Sequence, residues 1–270
     1  MVVQHNLSAM NTNRQMGVVT SALQKSTEKL SSGYKINRAG DDAAGLSISE
    51  KMRSQIRGLN KASDNAQDGI SLIQVAEGAL NETHSILQRM NELATQAAND
   101  TNTSVDRQSI KDEIKQLNEE LDRISSTTQF NKQDLLTGGF SGKLQVGALE
   151  GQTMDVKISL AVSANGLKVS AVEVSTNVKA GDAMQSIQDA IESVSKQRSK
   201  LGAIQNRLEH TINNLDTNAE NTQAAESRIR DTDMADEMVQ YSKNNILSQA
   251  GQSMLAQANQ QTQGVLSLLG

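Results

Sequence analysis

The segment MQSIQDAIESVSKQRSKLGAIQNRLEHTINNLDTNAENTQAAESRI, residues 184–229, decides the fold. Alternating steps of three and four residues connect a mostly apolar set of positions along it, which is the spacing of a coiled-coil seam. The set comprises Met184, Ile187, Ile191, Val194, Arg198, Leu201, Gln205, Leu208, Ile212, Leu215, Ala219, Thr222, Glu226 and Ile229. One helix over this segment is roughly 70 Å long at about 1.5 Å per residue, which is longer than a compact domain of this size is wide. The seam therefore predicts a rod.

The composition agrees with a narrow helical bundle. The 270 residues include no proline to interrupt a helix, and only two Tyr, two Phe and no Trp to fill a thick core. Seams of Leu, Ile, Ala and Met need little aromatic volume. The predicted fold class is mainly α: an elongated antiparallel helical bundle or coiled-coil rod with a small β-hairpin sheet at one end.

A second long helix is expected over residues 41–99, where Asp41 and Asp42 can accept the free backbone N–H groups of its first turn. Two apolar heptad stripes run side by side along it, which implies two packing partners. The candidate partners are residues 104–128 and the 184–229 helix. Gly58, Gly69 and Gly78 each weaken a helix by up to about 1 kcal/mol and argue against its continuity.

Between residues 135 and 178 the apolar period changes from near 3.5 to two. Met154, Val156 and Ile158 alternate with polar residues, and an earlier strand at 143–146 should pair with them across a loop containing Gly151. Leu167 and Val169 alternate again after Asn165-Gly166, a hairpin turn signal, and predict a further strand.

The two ends of the chain are helical in period but poor in apolar residues. A helix is expected over 6–30, ending at Gly33, and another over 233–270. Both seams are too polar to fold alone, so the ends should order on contact with neighbouring molecules. The expected domains are 1–40 (N-terminal helix and connector), 41–230 (long helices and hairpin region) and 231–270 (C-terminal helix).

Several functions are disfavoured by the residues. Twenty-six basic and 31 acidic residues, without a basic stripe, predict no nucleic-acid partner. No apolar run is long enough to cross a membrane or to act as a secretory signal. His5, His84 and His210 lack metal-ligand spacing, and cysteine is absent. We expect no catalytic residue, no metal and no cofactor, and hence no enzyme.

Four motifs carry a resemblance. They are NLSAMN (6–11), LSSGYKIN (30–37), DDAAGLSI (41–48) and LAQANQ (255–260) followed by VLSLL (265–269). In this order they resemble the two ends of bacterial flagellin, in a short form without the variable outer domains. The resemblance implies a subunit that polymerises into the flagellar filament for swimming motility. The residues it implies in assembly are Leu7, Met10, Leu23, Leu30, Leu247, Met254, Leu255, Val265, Leu266, Leu268 and Leu269.

The same resemblance implies a location and partners. The protein should lie outside the cell in the filament, exported through the flagellar type III channel without a cleaved signal peptide. Its partners would be other copies of the subunit, an export chaperone, the filament cap protein and hook–filament junction proteins.

The resemblance also implies that host Toll-like receptor 5 binds the segment LQRMNELA, residues 87–94. Arg89, Leu93 and the acidic Glu113 are the residues carried over to this role. An exposed Arg and an apolar anchor are residue types that dominate interface energies. Leu93 also lies on a heptad stripe, so a place in the core is its alternative role.

A second class of function stays open from the sequence. A hook–filament junction protein, or a type III secretion translocator that binds a partner without polymerising, would share the helical pattern. Electron microscopy separates these alternatives, because only a filament subunit grows long uniform filaments.

Overall fold

The computed structural model describes residues 6–267, with side chains described for 6–261. Five helices lie in this part of the chain: α1 (Leu7–Ser32), α2 (Ala43–Ala97), α3 (Ser104–Thr127), α4 (Asn177–Arg230) and α5 (Met234–Ser267). Four short strands lie between α3 and α4: β1 (Gln129–Phe130), β2 (Gln133–Asp134), β3 (Phe140–Gln145) and β4 (Thr153–Ile158). The predicted class, mainly α with a small antiparallel sheet, is confirmed.

The chain forms two compact units, Met1–Ser54 with Glu220–Gly270 and Gln55–Ala219. In the second unit one apolar core joins α2, α3, β4 and α4. Its fully buried side chains include Leu80 and Leu87 of α2, Leu121 of α3, Ile158 of β4, and Ile187 and Leu201 of α4. The two partners that the stripes of α2 predict are therefore α3 and α4.

The seam of α4 differs from the predicted one at alternate positions of its first half, whereas Ala219, which was also predicted, is buried. Ile187, Val194, Leu201, Leu208 and Leu215 are buried as expected. In the first half of α4, the seam positions between these residues lie one residue before the predicted ones. Ala183 and Ala190 are buried, while the predicted Met184 and Ile191 are only partly buried at the edge of the core. Alanine permits the close approach of a neighbouring backbone, and the bulkier side chains then cover the flank of the contact.

The sheet is partly as predicted. Strands β3 and β4 pair antiparallel from Phe140–Ile158 to Gln145–Thr153, and Gly151 in their loop has φ +82°. The predicted strand after Asn165-Gly166 is wrong, because this stretch forms successive turns with Lys168 at φ +60°. Turn hydrogen bonds, such as Val169 N–H to the Ala164 carbonyl (2.9 Å), replace a ladder, and Val169 is buried all the same. Burial of alternate side chains does not require extended backbone.

Glycines in α2 explain why the hairpin can lie against an unbroken helix. A Cβ on Gly58 would be 2.8 Å from Ala148 Cβ and 3.3 Å from Ala148 Cα, in the β3–β4 loop. Nothing lies within 4 Å of the Cβ position of Gly78.

We expect Gly78→Ala to stabilise the protein by about 0.5–1 kcal/mol and Gly58→Ala to destabilise it by about 1–3 kcal/mol. Urea unfolding measures both, and equal effects would contradict the proposed contact at Gly58.

The start of α3 is a capping box. The Thr103 hydroxyl and backbone N–H donate to the Asp106 carboxylate (2.7 and 2.9 Å), and these hydrogen bonds lower the pKa of Asp106 below its ordinary 3.8. A carboxylate with a lowered pKa contributes stability above its ordinary pKa and loses it as the pH falls through the folded-state value. We expect amide exchange in the first turn of α3 to accelerate, beyond its intrinsic pH dependence, as the pH falls below about 4. Asp106→Asn should remove that excess.

In the first unit α1 and α5 pack antiparallel. Lys29 Nζ pairs with Glu237 Oε2 (3.5 Å) at one end, and Asn6 Nδ2 donates to the Ala258 carbonyl (3.1 Å) at the other. Met16 Cγ lies 3.7 Å from the Cβ position of Gly251 midway. The predicted caps are present: Gly33 ends α1 in the left-handed conformation (φ +76°), and Asp42 Oδ1 accepts the Gly45 N–H of α2 (2.9 Å).

Candidate functional site

Two surfaces hold the residues that the sequence singled out, and each lies within one unit. The first, which we call the Arg89 cluster, consists of Arg89 and Glu92 on α2 and Glu113 on α3. The second consists of apolar side chains exposed on α1 and α5.

The Arg89 cluster is an exposed ion-pair network between two helices. Arg89 Nε and Nη2 both lie 3.0 Å from Glu113 Oε1, and Nη1 lies 3.2 Å from Glu92 Oε2. The side chains are about half exposed, at 52% for Arg89 and 45% for Glu113. The hydrogen bonds that the guanidinium donates, to Glu113 first and to Glu92 second, raise the pKa of Arg89 above its ordinary value. The guanidinium is therefore a fixed positive charge held in one orientation.

Leu93 lies beneath this surface and not on it. It is 2% exposed and belongs to the core formed with Met90, Leu87 and Ala97. Of the two roles expected for Leu93, the structure therefore shows the core position, because the heptad stripe that carries Leu93 faces the interior. Leu93 cannot touch a partner in this conformation.

Glu92 is the member of the cluster that the sequence reasoning did not select. The sequence did contain a sign of this pairing, because an acidic and a basic residue three positions apart on a helix are neighbours on its surface. The pairing of Arg89 with Glu113 across two helices depends on tertiary packing, and only the resemblance had suggested it.

The α1/α5 pair has almost no interior. Among its described side chains only Ser26 and Ala258 are buried. On α1, Leu7, Met10 and Val18 are exposed, and their spacing places them on one side of the helix. On α5, Val239, Ile246, Leu247 and Met254 are exposed and also share one side. We call these two sets the α1 stripe and the α5 stripe.

The remaining predicted assembly residues are distributed differently. Leu23, Leu30 and Leu255 are half-buried in the first unit. The side chains of Val265, Leu266, Leu268 and Leu269 lie outside the described residues. An exposed run of large apolar residues on two paired helices marks a surface that another protein covers.

The described residues meet neither the requirements of a metal site nor those of a membrane-spanning helix. Among residues 6–261, no group of three or more His, Cys, Asp or Glu side chains is placed to hold a metal ion. Within the same described part of the chain, no helix is both long and apolar enough to span a bilayer.

A helical bundle with a small hairpin sheet and terminal helices that expose apolar stripes is typical of a structural protein that associates with other copies of itself. Two family models match the chain. Residues 3–141 match the bacterial flagellin N-terminal helical region, and residues 184–269 match the bacterial flagellin C-terminal helical region. The chain belongs to the bacterial flagellin family, which is a family of structural proteins.

Individual relatives agree with this assignment. A flagellin of Halalkalibacterium halodurans is 56% identical over 271 residues, and a flagellin of Bacillus subtilis is 51% identical over 304 residues. Both alignments cover the whole of each chain. The crystal structure of Bacillus cereus flagellin is 32% identical with a TM-score of 0.51, covering 60% of this chain and 94% of that one.

A flagellar hook-associated protein of Vibrio parahaemolyticus shares the fold. Its TM-score is 0.62 at 14% identity, and the match covers 71% of this chain and all of that one. At this identity the likeness concerns the fold alone, so it does not favour a junction role.

Proposed function

We propose that this protein is the subunit that polymerises into the bacterial flagellar filament and so serves swimming motility. The observation that carries the proposal is the α1/α5 pair, which exposes two apolar stripes and has little core of its own, in a chain of the flagellin family. Burying these stripes between copies would remove large apolar area from water, and many copies stacked alike would form a polymer. The segments 1–40 and 231–270 would form the inner layer, and 41–230 the next.

Seeded polymerisation tests this proposal. Purified protein added to short filament fragments should extend them into long, uniform filaments visible by electron microscopy. Short stubs that stop growing would support a hook–filament junction protein, and complete failure to extend any seed would support a non-polymerising translocator.

The proposal extends to export and partners. We infer that the chain leaves the cell through the flagellar type III channel without a cleaved signal peptide. Its partners would be an export chaperone on the C-terminal segment, a cap protein that guides insertion, and junction proteins at the filament base. The low apolar content of α1 and α5 supports this route, because helices that fold marginally alone can travel unfolded. We propose no enzymatic activity and no cofactor.

We further propose that Toll-like receptor 5 binds the surface around the Arg89 cluster. Its support is the exposure of Arg89 and Glu113 and the fixed orientation of the guanidinium. Arg is over-represented among residues that dominate interface energies, and a pre-oriented side chain loses less entropy on binding. Leu93 contributes only by supporting α2 from within.

We expect Arg89→Ala to weaken binding of the receptor ectodomain by about ten- to a hundredfold, because it removes a central charged contact. Glu113→Ala should weaken it less, since Glu92 still holds the guanidinium. Surface plasmon resonance with monomeric protein measures both. Lys115→Ala, on an exposed position of the same helix α3, is the control and should bind as the parent does. Parent-like affinity of Arg89→Ala would contradict the proposal.

A further inference from the structure

Two connectors, residues 33–42 and 231–233, join the terminal helices to the long ones, and they meet within the first unit. Tyr34 and Asp231 form an isolated antiparallel bridge. Lys35 N–H donates to the Arg230 carbonyl (2.6 Å), and Thr232 N–H donates to the Gly33 carbonyl (3.0 Å). A ladder of two hydrogen bonds is too short to persist alone in water.

The Arg230 side chain reinforces this short ladder. Its guanidinium lies over the Tyr34 ring, 4.8 Å from the ring centroid, so it touches the opposite connector. Arg230 Nη1 also contacts Glu50 Oε1 of α2 at 2.8 Å. The Arg230 side chain is only 12% exposed, and this exclusion of water strengthens its contact with the Tyr34 ring, whereas its partner Glu50 is 51% exposed. One residue at the end of α4 thus contacts the other connector and α2 at once.

The other contacts described near the connectors do not join one connector to the other. Asp41 Oδ2 accepts the Asn37 and Arg38 N–H groups within the first connector. The pairs Lys25–Asp41 and Arg38–Glu28 tie that connector back to α1, and the basic member of each is at least 70% exposed. Exposed pairs contribute little, so they do not replace the contacts of Arg230.

We propose that Arg230 is a lock between the two connectors. With Arg230 stacked on Tyr34 and paired with Glu50, the end of α1 and the start of α5 are held together, so the terminal helices are presented as one unit. Loss of the stack loosens both connectors together, because Arg230 contacts the opposite connector and α2 at once. By contrast, the partly buried Lys29–Glu237 pair joins α1 to α5 outside the connectors, and the buried Ile36 belongs to the first connector alone. The inference concerns the isolated chain and does not rest on the proposed function.

Hydrogen exchange followed by mass spectrometry on the full monomeric chain tests the lock. In Arg230→Ala, amides in residues 33–38 and in residues 231–234 should both exchange about tenfold faster than in the parent, as expected when a cation–π contact closing a local opening is lost. Arg228→Ala is the matched control, because Arg228 is exposed two residues earlier on the same helix. Equal exchange in the two variants would overturn the proposal.

A second pair of variants decides the matter if Arg230→Ala proves misfolded by circular dichroism. Tyr34→Phe keeps an aromatic ring beneath the guanidinium and should exchange like the parent. Tyr34→Leu removes the ring and should accelerate exchange in both connectors, including 231–234 on the far side. Acceleration confined to 33–38 would show that the connectors are not coupled, and would overturn the lock.

Discussion

Leu93→Ala will lower the free energy of unfolding by about 2–5 kcal/mol, the range for a leucine removed from a packed core. Leu93 is 2% exposed and lies in the core that joins α2, α3, β4 and α4, so truncation leaves a cavity among these elements. Chemical unfolding followed by circular dichroism measures the change. Arg89→Ala, four residues earlier on the exposed surface, is the matched control and should change the free energy by less than about 0.5 kcal/mol.

The same two variants separate a receptor contact from a structural role. Arg89→Ala should lose receptor binding without losing stability. Leu93→Ala should lose stability first, and any lost binding should return at a temperature where the variant is fully folded. A Leu93→Ala protein as stable as the parent would show that the side chain is not in the core. Persistent loss of binding in a fully folded Leu93→Ala protein would show a direct role in the contact.

Placing glutamate at both Leu247 and Met254 will raise the critical concentration for filament growth by about a hundredfold or more. These α5 stripe residues are 44% and 58% exposed in the isolated chain, so the substitutions leave the monomer folded. In a filament that buries the stripe, two apolar contacts would be lost and two charges would be left without water. Sedimentation of seeded reactions over a range of protein concentrations measures the change.

The control exchanges the same two side chains while keeping them apolar, as Leu247→Met with Met254→Leu. This variant should polymerise near the parent's critical concentration, because volume-conserving apolar replacements are well tolerated. Growth of the glutamate variant at the parent's concentration would mean that the α5 stripe is not buried between subunits.

Helix positions were largely predictable from local sequence. Residues 6–30 were expected as a helix and α1 is Leu7–Ser32; residues 104–128 were expected and α3 is Ser104–Thr127. Capping residues at Gly33 and Asp42 act within a few positions of themselves, which is why they can be recognised without a structure. The role of Gly58, in contrast, depends on a distant segment. The sequence indicated only that this glycine weakens α2, whereas the structure shows the β3–β4 loop packed against it.

The strand predicted after Asn165-Gly166 failed for a different reason. The turn and the burial of Leu167 and Val169 were both real, but the backbone reaches that burial through turns. The Asp122 carboxylate of α3 accepts the Ala164 N–H (2.8 Å), and this contact comes from 42 residues away. Alternation cannot reveal a hydrogen bond of that range.

In the candidate site, too, some features could be predicted from local sequence and others depended on tertiary packing. Arg89 was recognisable as a charged residue on a helix, whereas its ion pair with Glu113 joins residues 24 positions apart on two helices. Leu93 fitted either the core or the surface, since it lies on an apolar heptad stripe and also inside the segment that the resemblance assigns to receptor binding. Burial, which is a property of the packed chain, resolved its position.

Period, caps and composition were enough to establish that this protein is a proline-free set of long helices with one small hairpin and apolar-poor ends, because these signals act over one or two turns of backbone. Three-dimensional packing was needed to place alanines in the seam of α4, Leu93 in the core and Arg230 between the connectors. These outcomes depend on which side chains from distant parts of the chain pack together and how closely. The free energy of that packing cannot be inferred from any short segment of sequence.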